Sequence, residues 1–336
     1  MAELGENTVL LFYRDFERDT LIPGDRHLKR LLRPLYHRLT RRQKVSGFLV
    51  WYQLLVKALR AQGFDVRHND YRLARKHPGH PVGLIGYPEI LDDWDLPNPT
   101  VLGPGLIDHP SLAPTLMRDE RFRSYVVTCD WMRALFARHY GADRVVPWYA
   151  GIDLAEWPDT RGREKDVDVL VYDKIRWNRD TLVPTLLNPV LAALAARGLR
   201  VETVRYKEYD HATYRDLLGR SKAMVFLCEH ETQGMAYQEA LASNVPILAW
   251  DNGFWLDPHR SEWESEPVPA SSVPYFSPEC GERFRNAGEL DEVLDRFWVR
   301  LGEYTPREYV ARDLSQKGSA SLYMEHYRRA MRPAAA

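Results

Sequence analysis

Glu231 and Glu239 bracket a short turn, Thr232-Gln233-Gly234, and a helix-like run, Met235–Ala242. An apolar run ending at Cys228 precedes them, so the string reads as a buried strand, a turn with glycine, then a helix N-terminus. The first N–H groups of a helix lack partners within it, and its dipole favours negative charge there. Such a turn suits an anion, and a diphosphate is the obvious guest. If most of the interval between the acids is helical, it rises roughly 12 Å. That is comparable to the reach from the sugar of a nucleotide sugar to its ribose. Carboxylates accept paired hydrogen bonds from vicinal hydroxyls. On this chemistry Glu231 holds a hexose and Glu239 a ribose, with phosphates on the helix start between them. Either acid alone would read as a solvated surface acid; the whole string is more specific than its parts.

The elements around this string alternate. Strands are expected at Thr8–Phe12, from Phe64, at Val82–Ile85, Val101-Leu102, Tyr125–Thr128 and Val145-Val146, with helices at Leu49–Leu59 and Trp131–His139. The pattern restarts after Tyr149–Pro158. Strands are expected at Val167–Tyr172, Arg200–Arg205, Ala223–Leu227 and Pro246–Trp250, with helices at Thr181–Ala196, Tyr214–Arg220 and Met235–Ala242. Alternation of this kind implies parallel sheets with covered faces. Two such series imply two doubly wound domains facing a cleft, with ligands beyond the carboxyl ends of the strands. The proline-rich stretch Pro258–Pro278 reads as a long surface loop.

Composition narrows the class. The chain has 336 residues, which suggests two domains, and 45% hydrophobic against 28% charged residues, which suits a globular protein. Lys+Arg 46 against Asp+Glu 47 leaves a net charge of -1, so no global field would hold nucleic acid. Cys129, Cys228 and Cys280 are too few and scattered for a disulfide framework or a zinc site, and their odd number suits a reducing cytoplasm. The N-terminus lacks the basic start and small-residue cleavage site of a signal peptide, and no apolar stretch approaches a membrane span. One segment stands apart. His27–Lys44 carries seven Lys and Arg and no acid, with leucines at helical spacing and Pro34 to bend it. It reads either as a helix packed on its own domain with a solvated basic face or as a surface for anionic lipid or an acidic acceptor.

The run from Glu231 to Pro246 resembles the E-x7-E signature of family-4-like, retaining GT-B glycosyltransferases. Glu231, Gly234, Glu239, Ala240, Ala242 and Pro246 match the usual pattern, while Thr232, Gln233, Ala236 and Asn244 depart from it. Asn244 stands where the family has glycine, and Asn tolerates a left-handed turn. Gln233 stands where the family packs an apolar residue, a change expected to alter sugar preference. Gly151-Ile152-Asp153 is similar to the family's hinge, Ser46-Gly47 to its first loop, and Ser315–Arg329 to the final helix that crosses back onto the first domain.

The resemblance implies a GT-B, α/β fold: an acceptor-side Rossmann-like domain over 1–150 with the basic insert 27–44, a nucleotide-sugar-binding Rossmann-like domain over 151–310, and a returning helix over 311–330. It implies two cations after the first strand of the second domain. Lys174 and Arg179 have the matching spacing with residue types exchanged, Asp173 replaces the family's glycine, and Arg176 is in reserve. Fixed cations there stabilise charge on the departing diphosphate; the competing reading is a cation-rich surface loop. His109 occupies the place of a histidine that touches the donor sugar, although a lone histidine is more often structural. Donor contacts are expected from Gly47, Tyr206, Lys207, Thr232, Gln233, Gly234, Met235 and Ala236.

The implied function is metal-independent transfer of a sugar, with retention, from a UDP- or GDP-linked donor. The acceptor would be a saccharide or lipid-linked molecule in polysaccharide or glycolipid synthesis. The protein is expected in the cytoplasm, with peripheral contact at the inner membrane face through 27–44, and with no cofactor. A sugar-nucleotide epimerase of the same fold and a non-catalytic nucleotide-sugar-binding protein are the alternatives. A dinucleotide oxidoreductase would need G-x-G-x-x-G, and Gly103-Pro104-Gly105 lacks the third glycine. A metal-dependent transferase would need D-x-D at a strand's carboxyl end, whereas Asp166-Val167-Asp168 enters its strand and reads as solvated acids. No H-E-x-x-H, P-loop or G-x-S-x-G is present.

Overall fold

A computed structural model describes residues 4–5, 7–14 and 47–331; the basic segment His27–Lys44 and Ser46 lie outside them. Short runs of branched and aromatic residues form eleven described strands in two wholly parallel sheets. The first sheet has the order β2-β1-β3-β4-β5-β6, built from β1 (Thr8–Arg14), β2 (Asp65–His68), β3 (Val82–Gly86), β4 (Thr100–Gly105), β5 (Phe122–Val127) and β6 (Val145–Pro147). The second has the order β11-β10-β9-β7-β8, built from β7 (Val167–Lys174), β8 (Val201–Arg205), β9 (Ser221–Cys228), β10 (Ile247–Trp250) and β11 (Gly281–Phe284). The central strands are buried on both faces, as parallel strands between helices must be. This is the doubly wound α/β architecture expected from the alternation.

The helices α1 (Gly47–Ala61), α2 (Tyr71–Lys76) and α3 (Asp130–Tyr140) alternate along the chain with the strands of the first sheet, although α3 up to Leu135 groups with the second unit. The helix expected over Thr181–Ala196 is instead broken into α4 (Arg179–Leu182), a π-helical turn Val183–Leu187 and α5 (Asn188–Ala196). Pro184 and Pro189 each remove an amide donor, which interrupts the i→i−4 ladder. Next come α6 (His211–Arg220) and α7 (Met235–Ala242), the second with the bounds expected from sequence. The chain closes with α8 (Leu290–Val299), α9 (Pro306–Asp313) and α10 (Gln316–Arg329). The side chains of α8 at Leu290, Val293, Leu294 and Phe297 join a core with Val169, Val171, Val225 and Leu248 of the second sheet.

Pro258–Pro278 is not simply a surface loop. Val268, Ala270, Ser272 and Val273 are buried, and both Ser271 and Ser272 hydrogen-bond to the Asp251 carboxylate. The prolines stiffen a segment that packs back onto its own sheet.

Contacts divide the described chain into two units. The first comprises the residues up to Val127, Phe136–Ala150 and those from Ser319 onward; the second comprises Thr128–Leu135 and Gly151–Gly318. Most of α10 therefore packs with the first sheet. The Tyr327 hydroxyl accepts from the Leu10 amide at 2.9 Å, and Trp148 Nε1 donates to the Ser319 carbonyl at 3.1 Å. Gly83 of β3 is held to glycine because any Cβ would meet the Tyr323 hydroxyl at 2.1 Å. Among the described residues no helix is long and apolar enough to cross a membrane.

Candidate functional site

In the second unit, the register of β7 and β9 sets Asp173 beside Leu227 and Lys174 beside Cys228. Both strands turn polar as they leave the sheet, so their charged ends meet. Lys174 Nζ is ion-paired with Glu231 Oε1, and both side chains are only about a tenth exposed, 12% and 10%. The ammonium also sits 4.4 Å from the centre of the Tyr206 ring. Burial works against the lysine charge, but the adjacent Glu231 carboxylate outweighs it and holds the ammonium above the usual lysine range.

Glu229 pins the loop leaving β7. Its buried carboxylate accepts from the amides of Arg176 at 2.7 Å and Trp177 at 2.9 Å. Arg176 in turn donates to the His230 carbonyl at 2.7 Å, and its guanidinium carbon lies 4.1 Å from the centre of the Trp177 ring. Lys174 and Arg176 are thus the two cations gathered around the residues preceding α7.

Arg179 is placed differently from expectation. Its two terminal nitrogens grip the two Asp173 oxygens at 2.9 and 2.7 Å, and it also donates to the Ile175 carbonyl at 2.8 Å. The tight loop folds the guanidinium back onto the acid that replaces the family's glycine. A planar fork matched to one carboxylate is a clamp on the loop rather than an open cation.

Gly234 caps α7 with φ +83°, and a Cβ there would lie 2.1 Å from the Tyr237 ring and 3.2 Å from Glu231 Cγ. Glycine is required both by backbone and by space. Asn244 adopts φ +62° just beyond the helix, the left-handed turn anticipated for it. Gln233 is buried, with its amide bonded to Gln238 Oε1 at 3.1 Å while Gln238 donates to the Gln233 carbonyl at 3.1 Å. The expected influence of the Gln233 side chain on sugar preference is therefore corrected: it is turned into the protein, where its polar atoms find another amide. Thr232, Met235 and Ala236 remain partly exposed at the turn and first helical turn.

Glu239 is partly buried, and its carboxylate makes no hydrogen bond or ion pair among the described residues. Packing around its carboxyl pushes the pKa up to about 8; Arg215 pulls it down and Glu156 pushes it further up. Beyond β8, Tyr206 is partly exposed, and exposed Lys207 adopts φ +70°.

Two supports of Glu231 come from distant sequence. Trp131 Nε1 donates to its carbonyl at 2.8 Å, and its amide donates to the Ser271 carbonyl at 2.9 Å. Neither Trp131, at the start of α3, nor Ser271, in the proline-rich segment, carries a local signal for that contact.

The remaining expected residues lie elsewhere. His109, in the first unit, is fully buried and caps the short helical turn Pro110–Leu112. Its Nδ1 accepts from the Ser111 amide at 3.2 Å and lies 2.7 Å from the Ser111 hydroxyl. The expectation that His109 touches a donor is corrected, because the ring has no exposed surface to offer one. Gly47 opens α1, where a Cβ would meet nothing within 4 Å, so space does not demand glycine. Asp166 and Asp168 stand at the amino end of β7; Asp166 is exposed to solvent as expected, whereas Asp168 is buried, and both are ion-paired. Asp166 meets Arg220 at 2.6 Å, while Asp168 meets Arg200 at 3.0 Å and Lys222 at 2.7 Å. Hydrogen bonds from Arg200 and Lys222 hold the Asp168 carboxyl far below the usual range. Among the described residues no group of three His, Cys, Asp or Glu is arranged to hold a metal ion.

No protein-family model matches the chain, and no curated protein does. Solved structures do resemble it. Sucrose-phosphate synthase from Thermosynechococcus elongatus aligns with a TM-score of 0.55 at 12% identity, covering 96% of this chain and 99% of that one. A TarM mutant from S. aureus, solved with fondaparinux, α-GlcNAc-glycerol and UDP, aligns with a TM-score of 0.51 at 11% identity. That alignment covers 76% of this chain and 57% of TarM, so the chain spans little more than half of TarM's length. With two doubly wound parallel sheets in one chain, matched from end to end by the synthase, the protein has the GT-B fold found in glycosyltransferases.

Proposed function

We propose that the protein is a glycosyltransferase that moves a sugar from a nucleotide-sugar donor to a saccharide or lipid-linked acceptor, with retention and without a metal ion. The observation that carries this reading is the Lys174–Glu231 pair beside the Gly234 turn that opens α7. A diphosphate at that helix start competes with Glu231 for the Lys174 ammonium. As Lys174 turns to the phosphate, the Glu231 carboxylate is released to accept from sugar hydroxyls. One exchange of partners thereby readies both groups. Lys174, Arg176 and the helix N-terminus together offset the charge that builds on the leaving diphosphate. Glu239, unpaired further along α7, accepts from the ribose hydroxyls.

The bond from the anomeric carbon to the phosphate oxygen breaks, and the acceptor oxygen bonds that carbon on the same face. The acceptor's proton passes to the leaving phosphate. No carboxylate serves as a covalent nucleophile. The nucleotide in the TarM crystal, UDP, supports the uridine member of the expected UDP- or GDP-linked donors. The basic composition of 27–44 supports a lipid-linked acceptor reached from the cytoplasmic side of a membrane.

A thermal-shift panel of UDP-, GDP-, ADP- and dTDP-sugars tests the reading. Stabilisation by sugars of one base is expected, since a ligand that binds only the native state raises its melting temperature. Nucleotide release that depends on added acceptor then separates transfer from epimerisation or simple binding. A panel in which no sugar nucleotide shifts the transition overturns the proposal.

A further inference from the structure

The second unit holds a cavity of about 430 Å³ near the amino ends of its strands, at the opposite end of the sheet from the Lys174–Glu231 pair. Arg215, Asp216 and Gly219 of α6 line one wall, and Thr160, Arg163 and Glu164 of the segment entering β7 line the other. The cations here lack carboxylates. The Arg163 side chain makes no hydrogen bond or ion pair among the described residues, and it lies over Gly219, where a Cβ would stand 3.6 Å from its Nη1. Arg215 rests its guanidinium 5.1 Å from the centre of the buried Trp157 ring and donates to His211 Nε2 at 3.2 Å, with no carboxylate among the described residues to take it up. Lys165 donates to the Thr160 hydroxyl at 2.8 Å and likewise has no carboxylate there. Burial, reinforced by Arg163 and opposed by Asp159, brings its ammonium down to about 8. Arg220 differs, being matched to Asp166 at 2.6 Å and to Asp216 at 3.5 Å. Two open guanidiniums and a crowded ammonium therefore gather at one cavity, with Glu164 exposed and unpaired at its wall. Like charges without counter-ions repel, and an anion relieves them. Guanidinium forks match phosphate oxygens, and a carboxylate accepts from hydroxyls.

We infer that this cavity is a second binding site, for a small hydroxylated phosphate ester: Arg163 and Arg215 hold the phosphate, and Glu164 accepts from the hydroxyls. The volume suits a small ligand rather than a bare ion. The eight residues of β7 separate its amino end from Lys174 by roughly 23 Å. The ester is therefore a ligand separate from a diphosphate held beside Lys174.

Calorimetric titration of the full chain with glycerol 3-phosphate, inorganic phosphate and glycerol tests this. Glycerol 3-phosphate should bind, inorganic phosphate more weakly, and glycerol not at all. Arg163→Ala is expected to weaken the ester about tenfold, the loss of a charge-assisted hydrogen bond. Arg163→Lys keeps the charge without the fork and should fall between the two. Arg163 is exposed and unpaired, so neither change threatens the fold. Arg215→Ala should lose about as much as Arg163→Ala, and Glu164→Ala should narrow the gap between the ester and inorganic phosphate. Lys174→Ala should leave the ester within about twofold of the wild type, since the charge it removes lies at the other end of β7. An ester affinity unmoved by Arg163→Ala overturns the inference. So does an ester that binds no tighter than inorganic phosphate, or a wild type that binds no ester. None of these results removes the nucleotide-sugar reading, which the panel of sugar nucleotides tests on its own.

Discussion

The two sheets share a topology and finish differently. The central strands of the first sheet end in glycines with left-handed backbone: Gly86 closes β3, and Gly103 and Gly105 close β4. A Cβ on Gly105 would lie 2.7 Å from the Gly86 carbonyl, so these ends are pressed backbone to backbone. His109, which follows, is sealed from solvent. The central strands of the second sheet end in Asp173-Lys174 and in Cys228-Glu229-His230-Glu231, six ionisable groups interlocked with one another and with Arg176 and Arg179 by hydrogen bonds and ion pairs. Rossmann-like sheets bind at their carboxyl ends, yet the fold does not say which sheet does the electrostatic work. Among the described residues, the interlocked charges at the central strand ends are concentrated in the second sheet. Among the described residues, the central strands of the first sheet end in close backbone packing, and those of the second end in a network of ion pairs.

The sharpest way to break this contrast is to add one methyl group to each side. Gly234→Ala places a Cβ against Tyr237 and Glu231 at φ +83°, a strain of about 1–3 kcal/mol before the overlap is counted. Nucleotide-sugar affinity should fall at least about a hundredfold, because the turn that aims the first amides of α7 is displaced. Gly105→Ala meets the Gly86 carbonyl at φ +94° and should lower the melting temperature with nucleotide affinity unchanged. Titration and thermal unfolding of both variants read the difference. An equal loss of affinity in the two would remove the division of labour.

The next largest effect is expected at Lys174. Lys174→Ala should slow turnover about a hundredfold, or about 2.7 kcal/mol, with a smaller change in donor affinity, since its charge matters most as the diphosphate departs. It should also destabilise the protein, because Glu231 is left buried without its cation. Adding Glu231→Gln to that variant should restore stability and not turnover. Steady-state kinetics beside denaturant titration separates the two roles, and a Lys174→Ala enzyme with wild-type kcat removes the residue from the mechanism.

Much of this site was legible in the sequence, and the rest was not, for reasons that particular residues show. The bounds of α7, the turn at Gly234 and the left-handed Asn244 depend on local backbone preference, which a short string reveals. The ends of β7 and β9 follow from apolar runs meeting polar residues. What escaped was the choice of side-chain partner. Arg179 pairs with Asp173 instead of standing open, Gln233 finds Gln238, and Trp131 reaches Glu231 from a hundred residues away. Each partner is fixed by packing in three dimensions, and spacing along the chain holds no record of it. Pro184 and Pro189 were visible, but the π-turn they produce depends on how the chain repairs two missing donors.

Glu239 sharpens the comparison through pH. Its native pKa is about 8 against an ordinary 4.5, so the unliganded site holds a protonated carboxyl below pH 8. Ribose hydroxyls donate to the ionised form, so binding must remove that proton. Donor affinity should then rise with pH and be about tenfold weaker at pH 7 than at pH 9. Stability of the free protein should move the opposite way. The unfolded side chain ionises near 4.5 while the native one keeps its proton, so stability declines as pH rises from there toward about 8. Glu239→Gln should flatten both profiles. A wild-type affinity independent of pH across this window would take the ribose away from Glu239.

The smallest effect is expected where the first sheet was thought to contribute. His109 Nδ1 serves the Ser111 amide and hydroxyl, and its ring is closed off beside His139 at 5.9 Å. His109→Asn retains a polar atom that can cap the same turn, whereas His109→Ala leaves the amide without its acceptor at a cost of about 1 kcal/mol. Both variants should bind the nucleotide sugar within twofold of the wild type, and only the alanine should unfold earlier. Should His109→Asn instead keep its stability while turnover drops a hundredfold, the ring must open to substrate during the reaction. Catalysis would then draw on both sheets, and the buried pose of His109 would be a resting one.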